Sequence, residues 1–301
     1  MELTLGPILF EWKKADIFRF YEEAASMPLD RVYLGEVVCA RKNILTPREI
    51  ETIGAALERA GKKVAVSTLA VVSNEEELAL VREMAALPFP IEANDASALN
   101  IVDASKKEVF AGPHIETYNS SSVRFLKGIG VKRITFPVEL GRESLGHAIA
   151  ETGVTAEVFA HGKLPLAFSW RCYVSRAYGL KKSGCKRHCA LYPDGMELKN
   201  IEGERLFAIN GTSILSAKPH TLVGFVDDLK ETGVAALRIS PQSKNTKEVV
   251  GIFRERMEGR LAVDEAMREL ASACEDEFVN GWYHSKAGKD CVKGLVPVIS
   301  I

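Results

Sequence analysis

No stretch of this 301-residue sequence is apolar for long enough to cross a bilayer. The most apolar run, Val64 to Val72, is short and is interrupted by Ser67 and Thr68. The first residues, Met-Glu-Leu-Thr-Leu-Gly-Pro, lack the basic region and apolar core of a secretory signal. An excess of charge is missing too. With 39 Lys and Arg against 40 Asp and Glu the formal net charge is −1, so any polyanion site has to be local. At 47% hydrophobic and 26% charged residues the composition is that of a globular chain and excludes a disordered one. No Gly-x-Gly-x-x-Gly follows the first apolar run, which argues against dinucleotide binding. No Ser-His-Asp order is recognisable, and no cysteine is visibly paired with a base for nucleophilic attack. The expectation is a soluble, cytoplasmic protein with no membrane span.

What is present is a repeated strand, loop and helix. Short β-branched runs stand at Leu3–Leu9, Val32–Gly35, Val64–Leu69, Ile91–Ala93, Val109–Ala111, Ile134–Val138, Ala156–Ala160, Leu206–Ile209 and Leu237–Ser240, with amphipathic segments between most of them. Thr46-Pro47-Arg48-Glu49 reads as a helix start, with Thr46 as N-cap, proline at the first helical position and Glu49 completing a capping box. Asn74-Glu75-Glu76-Glu77 opens another, its carboxylates favoured at the positive helix end. This alternation predicts an α/β fold, a (β/α)8-type, TIM-like barrel spanning residues 1–301 as one domain. Nine strand candidates for eight places imply one added hairpin strand or an irregular barrel. From Gly162 to about Glu204 the chain makes a long excursion after a late strand, and long loops in compact domains usually carry function. A Gly- and Lys-rich tail over 286–301 reads as loosely ordered.

Six cysteines need an explanation. Without an export signal their thiols stay reduced, which argues against a disulfide framework and for metal or redox chemistry. Cys172, Cys185 and Cys189 form C-x12-C-x3-C within the excursion, and Cys39 follows the second strand candidate. In a (β/α) barrel the loops after strands gather at one face, so both groups of cysteines belong at that face. Four thiolates from two loops suit a cubane iron–sulfur cluster. Between Lys163 and Pro193 there is no acidic residue, while Arg171, Arg176, Lys181, Lys182, Lys186 and Arg187 are cationic and lower the cost of holding thiolate charge. Three other readings stand beside this one. Four cysteines, or three of them together with His188, also make a structural zinc set. Cys39 alone could be a small buried hydrophobe. The basic, aromatic excursion also suits nucleic acid. Cys274 and Cys291 read as spare thiols.

The run Ala156-Glu157-Val158-Phe159-Ala160-His161-Gly162, followed by Ser169-Trp170-Arg171-Cys172 and Ser183-Gly184-Cys185-x-x-x-Cys189, resembles the collagenase-like peptidase superfamily. Within it the isolated Cys39, after Gly35-Glu36-Val37-Val38, joined to C-x12-C-x3-C resembles the UbiV family of oxygen-independent ubiquinone biosynthesis. The resemblance implies a [4Fe-4S] cluster on Cys39, Cys172, Cys185 and Cys189. It also implies a heterodimer with a homologous UbiU-like subunit, and hydroxylation of a ubiquinone-precursor ring without dioxygen. Nucleic acid is then not the expected partner, although some superfamily relatives modify RNA. Two departures matter. The cysteine that many members carry just after His-Gly is absent from His161-Gly162-Lys163-Leu164-Pro165. A late Lys-Ile-Glu-Gly-Arg is replaced by Arg238-Ile239-Ser240-Pro241-Gln242, which weakens a peptidase reading.

The catalytic residues are not assigned by the sequence. His161, at a strand end, is a candidate general acid or base, or a brace for the excursion. Glu36 and Asn94-Asp95 also follow strands and are candidates for binding substrate or capping the next helix. Asn210-Gly211-Thr212 reads as a turn.

Overall fold

The computed structural model describes residues 1–42 and 45–293. In chain order the elements are β1 (Glu2–Leu5), α1 (Lys14–Ala24), β2 (Arg31–Gly35), α2 (Pro47–Arg59), β3 (Lys63–Ser67), α3 (Glu75–Ala86), β4 (Ile91–Ala93), α4 (Ala96–Ile101), β5 (Val109–Ala111), α5 (Ser120–Gly128), β6 (Val131–Thr135), α6 (Arg142–Thr152) and β7 (Thr155–Gly162). There follow β8 (Pro165–Phe168), α7 (Tyr173–Ala177), β9 (Met196–Lys199), β10 (Arg205–Asn210), β11 (Ser213–Ser216), β12 (His220–Thr221), α8 (Val226–Glu231), β13 (Ala236–Ile239), α9 (Thr246–Met257) and α10 (Val263–Cys274).

The strands β1 to β7 pair in sequence, β7 pairs with β13, and β13 pairs with β1, all parallel. This is a closed eight-stranded ring with helices between strands, a TIM-like barrel. The first strand is shorter than the apolar run around it. Gly6 still donates to the Ile239 carbonyl (2.8 Å), but Pro7 has no N–H with which to extend the ladder. Pro137 acts likewise after β6, which lies at Val131–Thr135 rather than Ile134–Val138. The ninth candidate, around Leu206–Ile209, is β10. It belongs to a separate antiparallel sheet ordered β8-β11-β10-β9.

The capping box of α2 forms as its sequence predicts: Thr46 accepts from the Glu49 amide, and Glu49 accepts from the Thr46 amide (2.7 Å). Asn74 caps α3 by accepting from Glu77 N (3.0 Å). The interruption of the barrel runs farther than Glu204. It extends from the end of β7 to the start of β13 and contains the whole second sheet, β12 and α8. Of the tail, residues 286–293 are described, and Asn280 ties them by hydrogen bonds to Asp290 O and to both polar backbone groups of Val292. The remainder, 294–301, lies outside the described residues.

The barrel interior is charged. Glu157 on β7, fully buried, accepts from Thr4 Oγ1 (2.7 Å), Tyr33 OH (2.7 Å), Arg133 (3.1 Å) and Arg238 Nε (2.7 Å). Arg238 also reaches Glu92 (2.5 Å) and lies over the Tyr33 ring (4.1 Å). Burial works to raise the Glu157 pKa, but Arg238 and Arg133 hold it down to about 2. Buried ions are tolerated because each is paired and hydrogen-bonded.

Candidate functional site

The loop after β2 is shaped by Glu36. Its carboxylate accepts from Val38 N (2.6 Å) and Cys39 N (3.0 Å), and it pairs with the buried Lys42 (3.4 Å). Lys42 in turn donates to the Leu9 carbonyl. Burial raises the Glu36 pKa, with Lys42 and the two amides opposing. Glu36 therefore braces the cysteine loop, and its oxygens face that loop's own amides. Asp95 acts as a cap for α4, accepting from Ser97 N (2.8 Å), and Asn94 is buried against Thr68 O and Glu92.

The turn Asn210-Gly211-Thr212, between β10 and β11, docks the excursion onto this loop. Thr212 Oγ1 donates to Val38 O (2.8 Å), Asn210 Nδ2 donates to Leu9 O (2.6 Å), and Gly211 O accepts from Tyr173 N (2.8 Å). Gly211 has φ +63°, a conformation that costs a residue without Cβ little. Val38 precedes Cys39 and Tyr173 follows Cys172, so one turn holds the neighbours of both cysteines.

Cys172 and Cys189 are buried together with Val174 and Ile209. Cys189 lies within electrostatic reach of Cys185 and Cys172. Its burial, reinforced by Glu11 and opposed by Lys42, pushes the thiol up to about 12. Burial also raises the Cys39 thiol; Glu36 adds to the rise, while Lys42 and Lys182 oppose it. Lys42 thus acts on thiols from both segments. Three sulfurs receive backbone amides from their own turns: Cys172 from Ser175 N (3.3 Å), Cys185 from Arg187 N (3.3 Å), and Cys39 from Arg41 N. All six cysteines are free thiols. Among the described residues no three His, Cys, Asp or Glu side chains are already arranged to hold a metal ion. Cys274 lies at the end of α10 and Cys291 is exposed, both outside this group.

Beside Cys172 opens a cleft of about 740 Å³, bordered by Ala40, Arg41, Trp170, Arg171, Arg176, Lys181 and Lys182 on one side and by Glu76, Glu77 and Glu83 of α3 on the other. Trp170 is anchored by its indole N–H to Ser73 Oγ (2.8 Å) with the Lys182 ammonium over its ring (5.7 Å). Lys182 pairs with Glu77 (3.7 Å), whereas Arg41, Arg171, Arg176 and Lys181 make no ion pair among the described residues. Sequence reasoning missed Lys42, whose burial depends on contacts with Leu9 and Glu36. It also missed the acidic wall from α3. Only the cationic run was visible beforehand.

His161 is the next-to-last residue of β7 and is 3% exposed. Its ring packs edge-on against Phe253 (5.9 Å) and Phe278 (5.8 Å), and Nδ1 has no hydrogen-bond partner among the described residues. Burial, reinforced by His220, brings its pKa down to about 3, so the imidazole is neutral at physiological pH. A neutral, enclosed ring does not fit a proton-transfer group titrating near 7.

The profile of peptidase family U32 matches residues 18–293. The 23S rRNA 5-hydroxycytidine C2501 synthase of Escherichia coli (strain K12) is 25% identical over 260 residues, which cover 83% of this chain and 39% of that protein. The tRNA hydroxylation protein P of Helicobacter pylori (strain ATCC 700392 / 26695) is 29% identical over 177 residues, covering 51% of this chain and 40% of that one. The tRNA hydroxylation protein P1 of Bacillus subtilis (strain 168) is 23% identical over 258 residues, 77% of this chain and 59% of that one. The chain therefore spans about 40 to 60% of the length of these relatives. Among solved structures, that of the U32 peptidase Mk0906 aligns over 80% of this chain and 93% of its own with a TM-score of 0.47 and 11% identity. With nearly its whole length matched, the chain belongs to peptidase family U32.

Proposed function

We propose that this chain is an iron–sulfur subunit of a dioxygen-independent hydroxylating system, with Cys39, Cys172, Cys185 and Cys189 holding a [4Fe-4S] cluster. The observation that carries the reading is the turn at 210–212, which ties the backbone beside Cys39 to the backbone beside Cys172. The donor set fits the group. Four reduced thiols come from two segments, three of them already accept amide hydrogen bonds of the kind that tune cluster potentials, and Lys42 and Lys182 lie close enough to offset negative charge. Bound there, the cluster would supply electron transfer, and hydroxylation without dioxygen needs electron movement together with another source of the oxygen atom. The chain's own part is to hold the sulfurs, through Glu36 for the first loop and through the 210–212 turn for the second. The adjacent cleft presents a tryptophan face and unpaired cations to a substrate.

The resemblance to the UbiV family favours the ring of a ubiquinone precursor as substrate, with a homologous UbiU-like subunit as partner. A second reading, hydroxylation of RNA, is favoured by the names of the relatives and by the cations around the cleft. The acidic wall formed by Glu76, Glu77 and Glu83 argues against a polyanion in the cleft itself.

Anaerobic purification with iron, sulfide and zinc analysis tests the cluster. About four iron atoms per chain and a broad thiolate-to-iron absorption are expected. Cys39→Ala and Cys172→Ala should lose the iron, and Cys274→Ala should keep it. Stoichiometric zinc, or unchanged iron in Cys39→Ala, would overturn the ligand set. Co-expression with the UbiU-like subunit separates the substrates: a stable heterodimer without RNA affinity supports the quinone reading, and salt-sensitive RNA binding supports the other.

A further inference from the structure

A cavity of about 140 Å³ lies at the C-terminal mouth of the barrel, between the ends of the seventh and eighth ring strands, β7 and β13, and the start of α9. It is separate in composition from the cysteine cleft, since the two share no lining residue. At a share of about 30 Å³ per water it has room for several waters or for one tetrahedral or planar oxyanion.

Three features of its wall point to a ligand. His161, nine-tenths buried by a wide margin, lines the cavity with an Nδ1 that has no partner among the described residues. Gln242 lines it as well, and its Nε2, a hydrogen-bond donor, is buried without an acceptor. Leaving such groups unmet is costly, so native structures rarely do it without a water or a ligand. The third feature is the first turn of α9, a 12-residue helix whose N-cap, Asn245, is left-handed (φ +63°) and makes no side-chain capping bond. Its amides are therefore not capped by that side chain, and the helix dipole places partial positive charge at the cavity. Lys244, exposed and making no ion pair among the described residues, stands at the rim.

Two carboxylates also border the space. Asp194 is engaged by Ser243, through its amide (2.7 Å) and its hydroxyl, and Asp276 is paired with Arg205 (2.7 Å). The Asp276 charge is thus matched by Arg205, and Asp194 turns its oxygens to the Ser243 donors while keeping its charge. The buried polar side-chain atoms of the lining without partners among the described residues are the Gln242 amide nitrogen and one imidazole nitrogen.

We propose that this cavity is a binding site for the oxyanion group of a small molecule, a phosphate or a carboxylate, held by Gln242, Lys244, the His161 ring and the N-terminal turn of α9. Barrels of this class recurrently place anion sites in the loops after their last two strands, at a helix N-terminus. The proposal goes beyond the cysteine site and does not depend on it.

The test titrates the full chain with inorganic phosphate and, in a separate arm, with acetate, in chloride buffer at constant ionic strength. Calorimetry and, for phosphate, 31P line broadening are the readouts. Saturable binding of either anion is expected, and the arm that binds tighter identifies the headgroup. Lys244→Ala and Gln242→Met should each weaken binding at least tenfold, while Lys106→Ala, an exposed cation that lines neither cavity, leaves it unchanged. His161→Phe keeps the aromatic packing and should also weaken it. Because Lys244 is exposed, its variant folds even where a buried substitution does not. No saturable binding of either anion, or equal affinity in the parent and Lys244→Ala chains, overturns the proposal.

Discussion

Inside the barrel, Glu157 receives four donors and Arg238 bridges two carboxylates, whereas around the cysteine cleft Arg41, Arg171, Arg176 and Lys181 have no ion-pair partner among the described residues. The same residue types thus serve opposite ends. Charges enclosed by the strands are neutralised within the chain and specify how the strands meet. Charges at the rim are left open to something outside the chain. The difference shows how to sort a charged residue by role: the paired and buried ones maintain the fold, and those without partners beside a cleft remain available for binding.

The largest expected effect sharpens this contrast. Arg238→Ala leaves Glu157 and Glu92 facing each other without their shared partner, and should cost about 3–5 kcal/mol in chemical denaturation. Arg176→Ala at the cleft should change stability by less than about 0.5 kcal/mol. Equal costs for the two would break the comparison.

Acid should act through the enclosed groups in two stages. His161 and His220 have pKa values lowered to about 3 and about 4 by burial, so between the unfolded value near 6.5 and those figures the unfolded chain binds the extra protons. Stability contributed by their neutral forms is present above pH 6.5 and is lost as pH falls through that window. Glu157, held at about 2, adds a second loss that begins near the ordinary carboxylate pKa and continues downward. Denaturation midpoints measured from about pH 7 to about pH 3 check this, and His161→Phe should flatten the first part of the fall. A pH-independent midpoint over that range would contradict the burial of both rings.

Smaller effects belong to local signals. Thr46→Ala removes one half of the α2 capping box and should cost about 1 kcal/mol. Cys185→Ala, at a partly exposed turn, should change the stability of the metal-free chain by less than about 0.5 kcal/mol. The last result would separate a ligand role for Cys185 from a packing role.

The barrel was legible because alternation of apolar runs and capped helices is a local property, and each of Val32, Val64 and Ile91 signals its strand within a few residues. The contact between the loop after β2 and the excursion was legible from topology, since both follow strands of one sheet. What was not legible depends on pairs distant in sequence. Arg238 and Glu157 lie 81 positions apart, and neither neighbourhood announces the other. Lys42 looks like any surface lysine until Glu36 and the Leu9 carbonyl enclose it. The ninth strand candidate carried the same β-branched pattern as barrel strands, and only its antiparallel partners set it apart.

The position of the excursion has a consequence for how the molecule is made. Strand β1, at Glu2–Leu5, takes one of its two neighbours from Ala236–Ile239, so the ring stays open until the second sheet has been synthesised. Until then β1 and β7 each expose an unpaired edge, the kind of edge that invites pairing with another chain. Closing over so long an intervening segment makes late-forming contacts govern the folding rate. In synthesis from the N-terminus the cysteine-bearing segment is therefore complete before the ring can close.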